Sequence, residues 1–485
     1  MIIGFVSLGK MNLEINEDSE MLLTSAVDIP TVMENNLMRE ELIIEIPSDM
    51  EAIQWRECCI YKVPRKLRQV NKEAYTPKLI SIGPFHHGEN VLSDMEMLKV
   101  RYFKHFCDRT EKRQKEIAKI IEENEAKIRH CYAEIIKLNS EDFVKMFLVD
   151  STFIIELFLM SHENETVLKN DAKEEDEKDY ILGKPWLVEG IKQDLMLLEN
   201  QLPFFILKEL YDQIFYAKKN NKISFLDLAC GYFSSSESKI PAGKEVKHFT
   251  DLIRYSYRPI KHNSFGDGIR YLCTAKKLSE AGVIFKLDKE GSALDIEFVK
   301  LQTTICPRFN CSRLLTYSPC LKCFGCLERM QPLLKMPRFE INDVTESLLP
   351  NIVALEQCHY PREAYVSNYM VLLDYLINTS EDVDLLVEKN IIVNKIGSNK
   401  AVATMVNKLG LEIVEENSCY TDLAKDLMNH CAQYGTFNME YLRSTYFPNL
   451  WRGTATVVGL IVFGFSFWST IRPYVTHQIE SVHCV

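Results

Sequence analysis

An uncharged apolar segment near the C-terminus constrains this chain more than any other stretch of its sequence. Residues 453–471 have the sequence GTATVVGLIVFGFSFWSTI, without a charged side chain, and are flanked by Arg452 and Arg472. A helix of that length spans about 28 Å, which is close to the hydrocarbon thickness of a bilayer. The segment therefore predicts a transmembrane helix whose ends are Gly453 and Ile471.

Aromatic residues near both ends, Trp451, Trp468 and Tyr474, support this prediction because such residues are enriched at membrane interfaces. Glycines and hydroxyl side chains within the segment weaken it, so a buried helix of a large soluble core is the alternative. The N-terminus, MIIGFVSLGK, lacks a basic region and a cleavage site. We therefore expect tail-anchored insertion into the plasma membrane or an endomembrane, with most of the protein in the cytosol and a short C-terminal tail at 472–485.

The composition limits the function classes. Hydrophobic residues make up 46% of the 485 residues, which is enough for a sizeable core. A net charge of −11 argues against a general nucleic-acid binder, so we expect no nucleic-acid partner. The 15 cysteines are best explained as buried thiols in a reducing compartment. A Gly-rich phosphate loop, an H-E-x-x-H motif and a G-x-S-x-G elbow do not occur, so we expect no cofactor.

Helical periodicity dominates the chain up to the apolar segment. Residues 1–52 are acidic and lack sustained periodicity, which indicates a loosely ordered tail with a helix near 31–44. Residues 53–450 predict one large helical domain, in which the apolar stretch 143–160 is a central buried helix. Other predicted helices lie in an amphipathic stretch at 93–136 and at 186–215 (one helix or a pair), 248–257, 270–281, 344–359, 363–378, 383–390, 400–409, 420–433 and 439–447. The fold class is therefore mostly α.

A small β subdomain interrupts the helices. Hydrophobic residues alternate with other residues on both sides of a turn, which predicts an antiparallel β-hairpin near 282–300. The residues that carry this alternation are Val283, Phe285 and Leu287 before the turn and Leu294, Ile296 and Phe298 after it. Residues 338–342 form a third candidate strand.

Five cysteines follow the hairpin within residues 299–335, and they are Cys306, Cys311, Cys320, Cys323 and Cys326. Four thiolates can complete a tetrahedral zinc shell, so these residues are weak candidates for metal ligands. Their overlapping C-x2-C-x2-C spacing differs from the two separated pairs of most zinc sites. A loop between two strands, or a translated intron, is the interpretation we prefer, and we therefore expect no metal.

Several segments resemble, in order, the plant domain-of-unknown-function 247 family. They are VPRKLRQVNKEAYTPKLISIGPFHHGE, MFLVDSTFIIELF, DLMLLENQLPFFILKEL, HFTDLIR, AKKLSEAGVIFK and FEINDVTESLLPNIVALEQC. The resemblance, which covers about residues 53–470, implies a plant protein with a mostly helical fold, a C-terminal membrane anchor and no established enzymatic activity. Some family members are implicated in self-incompatibility recognition between pollen and stigma in grasses. Two departures are Ser151-Thr152, where the family usually has Gly-Cys, and about thirty extra residues at 299–335.

Four carboxylates lie within otherwise apolar helical sequence: Asp150, Glu156, Asp194 and Glu199. Burying them without partners would cost several kcal/mol, so each needs a partner or access to solvent. Two of them could form the acid–base pair of a hydrolase. Alternatively, they join helices by pairing with backbone amides or with lysine and arginine side chains.

Other polar residues have simpler interpretations. His86 and His87 follow a Gly-Pro turn, and adjacent histidines rarely bind one ion together, so we expect a capped turn. The basic run 62–78 is typical of a solvated helix face, with contact to anionic lipid as the alternative. Sequons for N-glycosylation begin at Asn164, Asn310 and Asn378, and they would report topology if they were exposed outside the cytosol.

Two functional hypotheses follow. The first is a membrane-anchored plant protein that acts without catalysis, as a recognition, signalling or scaffold component with unknown protein partners. The second is a membrane-tethered hydrolase or transferase that uses the buried carboxylates. Carboxylates that face each other in an open pocket would favour the enzyme, whereas carboxylates paired with backbone, lysine or arginine would favour the first hypothesis.

Overall fold

The described parts of the polypeptide fold mainly into α-helices. The computed structural model describes residues 56–169, 179–215, 223–235, 240–261, 264–289, 291–300, 332–434 and 450–482. The expected N-terminal tail at 1–52, with its helix near 31–44, the helix at 439–447 and the five cysteines of the 299–335 segment lie outside these ranges.

The mostly α fold class is confirmed by fifteen α-helices within the described ranges. They are α1 Arg65–Val70, α2 Glu96–Thr110, α3 Gln114–His130, α4 Ser140–Lys169, α5 Pro185–Asp194, α6 Phe204–Phe215, α7 Phe225–Phe233, α8 Phe249–Ser256, α9 Ala275–Glu280, α10 Asp343–His359, α11 Tyr365–Leu376, α12 Ser380–Glu388, α13 Asn399–Leu409, α14 Thr421–Tyr434 and α15 Leu450–Val482. Short 3-10 turns at Lys72–Tyr75 and Asn90–Met95 precede α2.

Helix α4 lies at the centre of the core, as its apolar sequence predicts. It packs against α2, α3 and α7, so most of the side chains between Phe143 and Leu159 are buried. Phe147, Ile154 and Phe158 are inaccessible to solvent or nearly so. The helix continues beyond the predicted end at Met160 because the polar residues that follow extend it into solvent.

The amphipathic stretch after residue 93 forms two helices. Helix α2 ends at Thr110, and Glu111 adopts a left-handed conformation with φ 57°, which ends the helical path. Helix α3 then ends at His130, and Tyr132 forms an isolated parallel bridge with Ile60. The predicted helical stretch 93–136 is therefore helical only to His130, since the chain after His130 pairs with the segment that precedes α1.

Strands occur at the three predicted positions and at four others, and their pairing differs from the prediction. The strands are β1 Gly266–Asp267, β2 Ile284–Asp288, β3 Glu297–Val299, β4 Leu333–Pro337, β5 Phe339–Ile341, β6 Ile392–Asn394 and β7 Asn417–Ser418. The sheet order is β2-β4-β3, with β4 parallel to β2 and antiparallel to β3. The predicted antiparallel hairpin near 282–300 is therefore wrong.

The physical reason is burial. Strand β4 carries Leu334 and Met336, both inaccessible to solvent, so it occupies the centre of the sheet and separates the two predicted partners. The third predicted strand is confirmed as β5, which pairs in parallel with β6. The region 186–215 forms two helices, α5 and α6, separated by an irregular junction.

Candidate functional site: a buried polar network and an exposed apolar helix

The segment that precedes α2 is largely irregular, and we call residues 59–89 the N-terminal strap. Because the strap lies outside every sheet apart from the single bridge at Ile60, its buried backbone N–H groups need acceptors from elsewhere. The side chains of α4 and of the junction between α5 and α6, residues 194–201, supply many of these acceptors. Three of the four carboxylates singled out in the sequence have this role.

Asp194, at the end of α5, binds three consecutive amides of the strap. Its carboxylate accepts hydrogen bonds from the N–H groups of Lys78 (3.0 Å), Leu79 (2.6 Å) and Ile80 (2.9 Å). Burial raises the pKa of the Asp194 carboxyl, and the three N–H groups oppose that rise. With only 3% of the residue exposed, the carboxylate fixes the strap and is nearly inaccessible to solvent.

Asn200 and Gln201 continue this pattern within the junction. Asn200 Oδ1 accepts a hydrogen bond from the N–H of Ile82 (2.7 Å), and its Nδ2 donates to the carbonyl of Ile80 (3.0 Å). Gln201 Oε1 accepts from the N–H of Phe249 at the start of α8 (2.9 Å). The two amides therefore join the strap, the junction and α8.

Glu199 holds the beginning of the strap. It accepts a hydrogen bond from the N–H of Val63 (2.6 Å) and pairs with Arg68, while His86 Nε2 lies 3.5 Å away. Burial alone would raise the pKa of Glu199, but His86, Arg68 and the Val63 N–H outweigh it and leave that pKa below its ordinary value. The expected capped turn is present, since His86 Nδ1 also pairs with Glu89 at 2.8 Å.

Asp150 on α4 forms a buried ion pair that the sequence did not reveal. Lys99 Nζ donates to Asp150 Oδ1 at 2.6 Å, and the N–H of Gly83 donates to Oδ2 at 2.9 Å. Both members of the pair are 1% exposed. Burial raises the pKa of Asp150, and the Lys99 charge opposes that rise. Lys99 also donates to the carbonyl of Ser81, so the pair fixes the strap against α2 and α4.

Glu156, one and a half turns further along α4, has an arginine partner. Arg109 Nε on α2 lies 3.0 Å from both Glu156 oxygens, and its Nη1 lies 2.6 Å from Glu163. Burial raises the pKa of Glu156, and Arg109 opposes the rise. This carboxylate joins α2 to α4 rather than facing a second acid.

Two further polar residues in the network were not identified from the sequence. Asn351 on α10 accepts from the N–H of Leu198 (2.9 Å) and donates to the carbonyl of Ala74 (2.8 Å). Glu356, one turn later, accepts from Arg254 Nε on α8 (3.2 Å) and is inaccessible to solvent. Their position among the buried apolar residues of α10 was the available signal.

The network leaves little opportunity for acid–base chemistry. Within the described part of the chain, hydrogen bonds do not join any two of Asp150, Glu156, Asp194 and Glu199, and each is bonded to backbone, lysine or arginine. A polar cavity of about 560 Å³ lies elsewhere, between β1, α11 and the chain after α13, and is lined by residues such as Asp374 and Glu415.

The remaining candidates are dispersed. Among the described residues, groups of three or more His, Cys, Asp or Glu side chains with metal-binding geometry are absent, and the nine cysteines there form no disulfide.

The basic run 62–78 is divided, because Lys62 pairs with Glu134 (2.6 Å) whereas Arg68 turns inward to the buried network. Asn164 and Asn378 are exposed, so both of these sequons are accessible.

Helix α15 differs from every core helix in its surroundings. The segment Gly453–Thr470 has a mean hydropathy of 1.4, yet only 6% of it is buried. Val458, Phe463 and Phe465 are between 58% and 72% exposed. By length and composition the helix can cross a bilayer, and its apolar side chains are exposed rather than packed as in a buried core helix.

Comparisons with known proteins agree with the resemblance seen in the sequence. The model of the domain-of-unknown-function 247 family, described as a plant protein of unknown function, matches residues 60–465. The chain is 26% identical over 452 residues to UPF0481 protein At3g47200 of Arabidopsis thaliana, covering 85% of each chain. It is 30% identical over 153 residues to the putative UPF0481 protein At3g02645 of the same plant, covering 31% of this chain and 26% of that protein. No solved structure matches.

Proposed function

Because this chain belongs to the plant domain-of-unknown-function 247 family, we propose that it is a membrane-anchored protein that acts without catalysis, as a recognition or scaffold component with protein partners. The observation that carries the proposal is the exposure of the apolar segment Gly453–Thr470 on α15. Large apolar side chains exposed over eighteen residues need a lipid or protein environment, and a bilayer fits the length of the segment.

The buried network supports a non-catalytic domain. A catalytic carboxylate must reach a substrate, whereas Asp150 and Asp194 are almost inaccessible and bonded to a lysine or to backbone amides. Their role in positioning the strap explains why they lie in apolar helices. The described geometry therefore favours partner binding over hydrolysis.

The cysteines support a cytosolic position for the helical domain. Cys59 and Cys131 are neighbours, because the N–H of Cys59 donates to the carbonyl of Cys131 at 2.9 Å, and both are free cysteines. Adjacent thiols persist in a reducing compartment, whereas an oxidising compartment favours their disulfide. We therefore propose that residues 56–434 face the cytosol.

The first test is the distribution of the full-length protein after alkaline extraction of plant membranes. We expect it to remain with the membranes, and a variant lacking residues 453–471 to become soluble. A control variant, in which an unrelated apolar helix of equal length replaces that segment, should return to the membrane. A full-length protein that is extracted like the deletion variant would refute the anchor.

The second test uses the exposed sequons to determine the side of the membrane. For a cytosolic domain we expect no change in mobility after endoglycosidase treatment. A mobility shift that disappears in the Asn164→Gln/Asn378→Gln variant would refute the cytosolic position. It would place the helical domain outside the cytosol.

The partner hypothesis needs its own measurement. We would compare proteins that are chemically crosslinked to the full-length chain with those crosslinked to residues 443–485 alone, both in intact plant membranes. Specific partners of the helical domain should appear only with the full-length chain. Identical sets would mean that the anchor alone determines the neighbours, and the recognition or scaffold function would be wrong.

A further inference from the structure

A cavity of about 500 Å³ lies at the carboxyl ends of β2 and β4. These strands are parallel and in register, so that Asp288 at the end of β2 lies beside Pro337 at the end of β4. The chain therefore leaves both strands at the same side of the sheet, and Lys289 and Arg338 are the first residues beyond them. Both residues line the cavity, whose volume is in the range of sites that bind small organic ligands.

The basic side chains around this cavity lack acidic partners. Lys286, Lys289 and Arg338 are exposed, and none of them forms an ion pair with a carboxylate that the structure describes. Lys286 also stands opposite Lys335 in the register of β2 and β4. Like charges on neighbouring strands repel each other, and an anion bound beside them would reduce the repulsion.

The carboxylates nearby already have lysine partners. Asp288, which lines the cavity, lies 3.5 Å from Lys261 Nζ. Glu297 on β3 lies 3.2 Å from the same lysine. Glu340 on β5 pairs with Lys395 at 2.5 Å. Among the described side chains, the charge that is left unpaired at this end of the sheet is therefore positive.

The two cations that line the cavity suit a phosphate group. Arg338 carries a planar guanidinium, which can donate two parallel hydrogen bonds to phosphate oxygens. Lys289 adds a compact point charge with three N–H donors. A phosphate monoester carries close to two negative charges at neutral pH, so it gains more from a pair of cations than a carboxylate does.

We propose that this cavity is a binding site for a phosphate monoester, which is held between Lys289 and Arg338. The monoester can belong to a soluble phosphorylated compound or to the headgroup of a phosphorylated lipid, since both present the same dianionic group. The site goes beyond the recognition or scaffold function proposed above. It does not depend on that function or on the membrane anchor, because its residues lie on β2, β4 and the chain that follows them.

The test measures the acylation rates of individual lysines by mass spectrometry, in the full-length protein in detergent micelles. Inorganic phosphate is the probe, and sodium chloride at equal ionic strength is the reference. Acylation of Lys289 should slow as phosphate is added, by about tenfold at ten times the half-saturating concentration. Lys145, which is 60% exposed and paired with Glu141, should react at an unchanged rate. Equal slowing of the two lysines, or no slowing of Lys289, would overturn the proposal.

Two arginine variants test the second cation. Arg338→Gln removes the guanidinium at an exposed position, so the other lysines should react as in the wild type while phosphate no longer protects Lys289. The control Arg113→Gln, at an 87% exposed arginine on α3, should keep the protection. Protection of Lys289 that survives in Arg338→Gln would contradict the proposed site. The wild-type titration does not depend on the folding of either variant.

Reconstituted vesicles distinguish the two sources of the phosphate. The full-length protein is placed in phosphatidylcholine vesicles that contain either a phosphatidylinositol monophosphate or phosphatidylserine of equal total charge. Slower acylation of Lys289 with the phosphoinositide alone would assign the site to a lipid headgroup. Protection by inorganic phosphate without an effect of either lipid would assign it to a soluble compound. Equal slowing by both lipids would show a general attraction to negative charge, and the monoester site would be wrong.

Discussion

Replacing Lys99 with methionine tests whether the buried polar network stabilises the fold. The substitution keeps most of the side-chain volume but removes the charge that lies 2.6 Å from Asp150. Asp150 then keeps only the hydrogen bond from the Gly83 N–H (2.9 Å), in a site that is 1% exposed. Breaking a buried pair in this way is strongly destabilising because the remaining charge has no compensation.

The magnitude follows from the protonation of Asp150. Burial already raises its pKa, and removing Lys99 removes the main opposing charge. The stranded carboxyl can escape its penalty by binding a proton, which at pH 7 costs about 4 kcal/mol for a group with an ordinary pKa near 3.9. We therefore expect Lys99→Met to lower the free energy of unfolding by about 4 kcal/mol at pH 7.

The sign of the pH dependence is a second signature. In the variant, the folded state keeps a proton that the unfolded state releases above about pH 4, so stability falls as pH rises. The loss of unfolding free energy caused by Lys99→Met should therefore shrink by about 1.4 kcal/mol for each unit by which the pH is lowered from 7 to 5. Urea unfolding of the detergent-solubilised chain, followed by circular dichroism, measures both values.

A matched control lies on the same helix as Asp150. Lys145 and Glu141 are also 2.6 Å apart, but their side chains are 60% and 77% exposed. Lys145→Met should leave the unfolding midpoint unchanged, because water already compensates both charges. In Lys99→Met/Asp150→Asn the uncompensated charge is gone, and most of the lost stability should return. A small penalty in Lys99→Met, a penalty that does not vary with pH, or a double variant as unstable as the single one would refute the reasoning.

Three further predictions concern other parts of the molecule. Burial lowers the pKa of His86, but its neighbours Glu199 and Glu89 outweigh it and raise that pKa above 6.5. The stabilising contribution of His86 is therefore complete below pH 6.5 and is lost at higher pH. His86→Gln should reduce the loss of stability between pH 6 and pH 8.5, measured by urea unfolding. Gly83→Ala should lower the free energy of unfolding by about 3 kcal/mol in the same assay, because φ at Gly83 is 73° and the new Cβ would lie 2.6 Å from the Gln201 carbonyl oxygen. The control Gly88→Ala, with φ 80° and open space around the new Cβ, should lower it by only about 1 kcal/mol. Leu460→Arg should disfavour membrane insertion by about 3 kcal/mol and increase the alkaline-extractable fraction, whereas Leu460→Phe should not.

Periodicity predicted most helices because burial of an apolar face is a local property of the sequence. The helices α10 to α14 lie within a few residues of their predicted positions, and the central helix α4 begins within a few residues of its predicted start. Pairing between strands is a non-local property, and here prediction failed. Alternation identified β2 and β3, but the strand that separates them, β4, begins more than thirty residues after β3 ends.

The network could be predicted only in part for the same reason. The acidic residues in apolar helices were visible in the sequence, and the expectation that they pair with backbone or basic groups describes their contacts. The identity of each partner was not visible, because Lys99 and Asp150 are joined only once α2 packs against α4. A lysine on the buried side of α2, three residues before the inaccessible Tyr102, was the one available clue.

The segments that carry the family resemblance meet in this network, and this bears on where a partner could bind. The strap, α4, the junction after α5, α8 and α10 each contribute a buried hydrogen bond to another of these segments. Their polar residues are therefore occupied by folding, and substituting them should reduce stability before it changes recognition. Residues that determine a partner must instead lie on the exposed surface outside these contacts, where a substitution can alter binding and leave the core intact. Variants for the crosslinking comparison should accordingly be chosen from exposed side chains such as Met97, Trp186 and Val414.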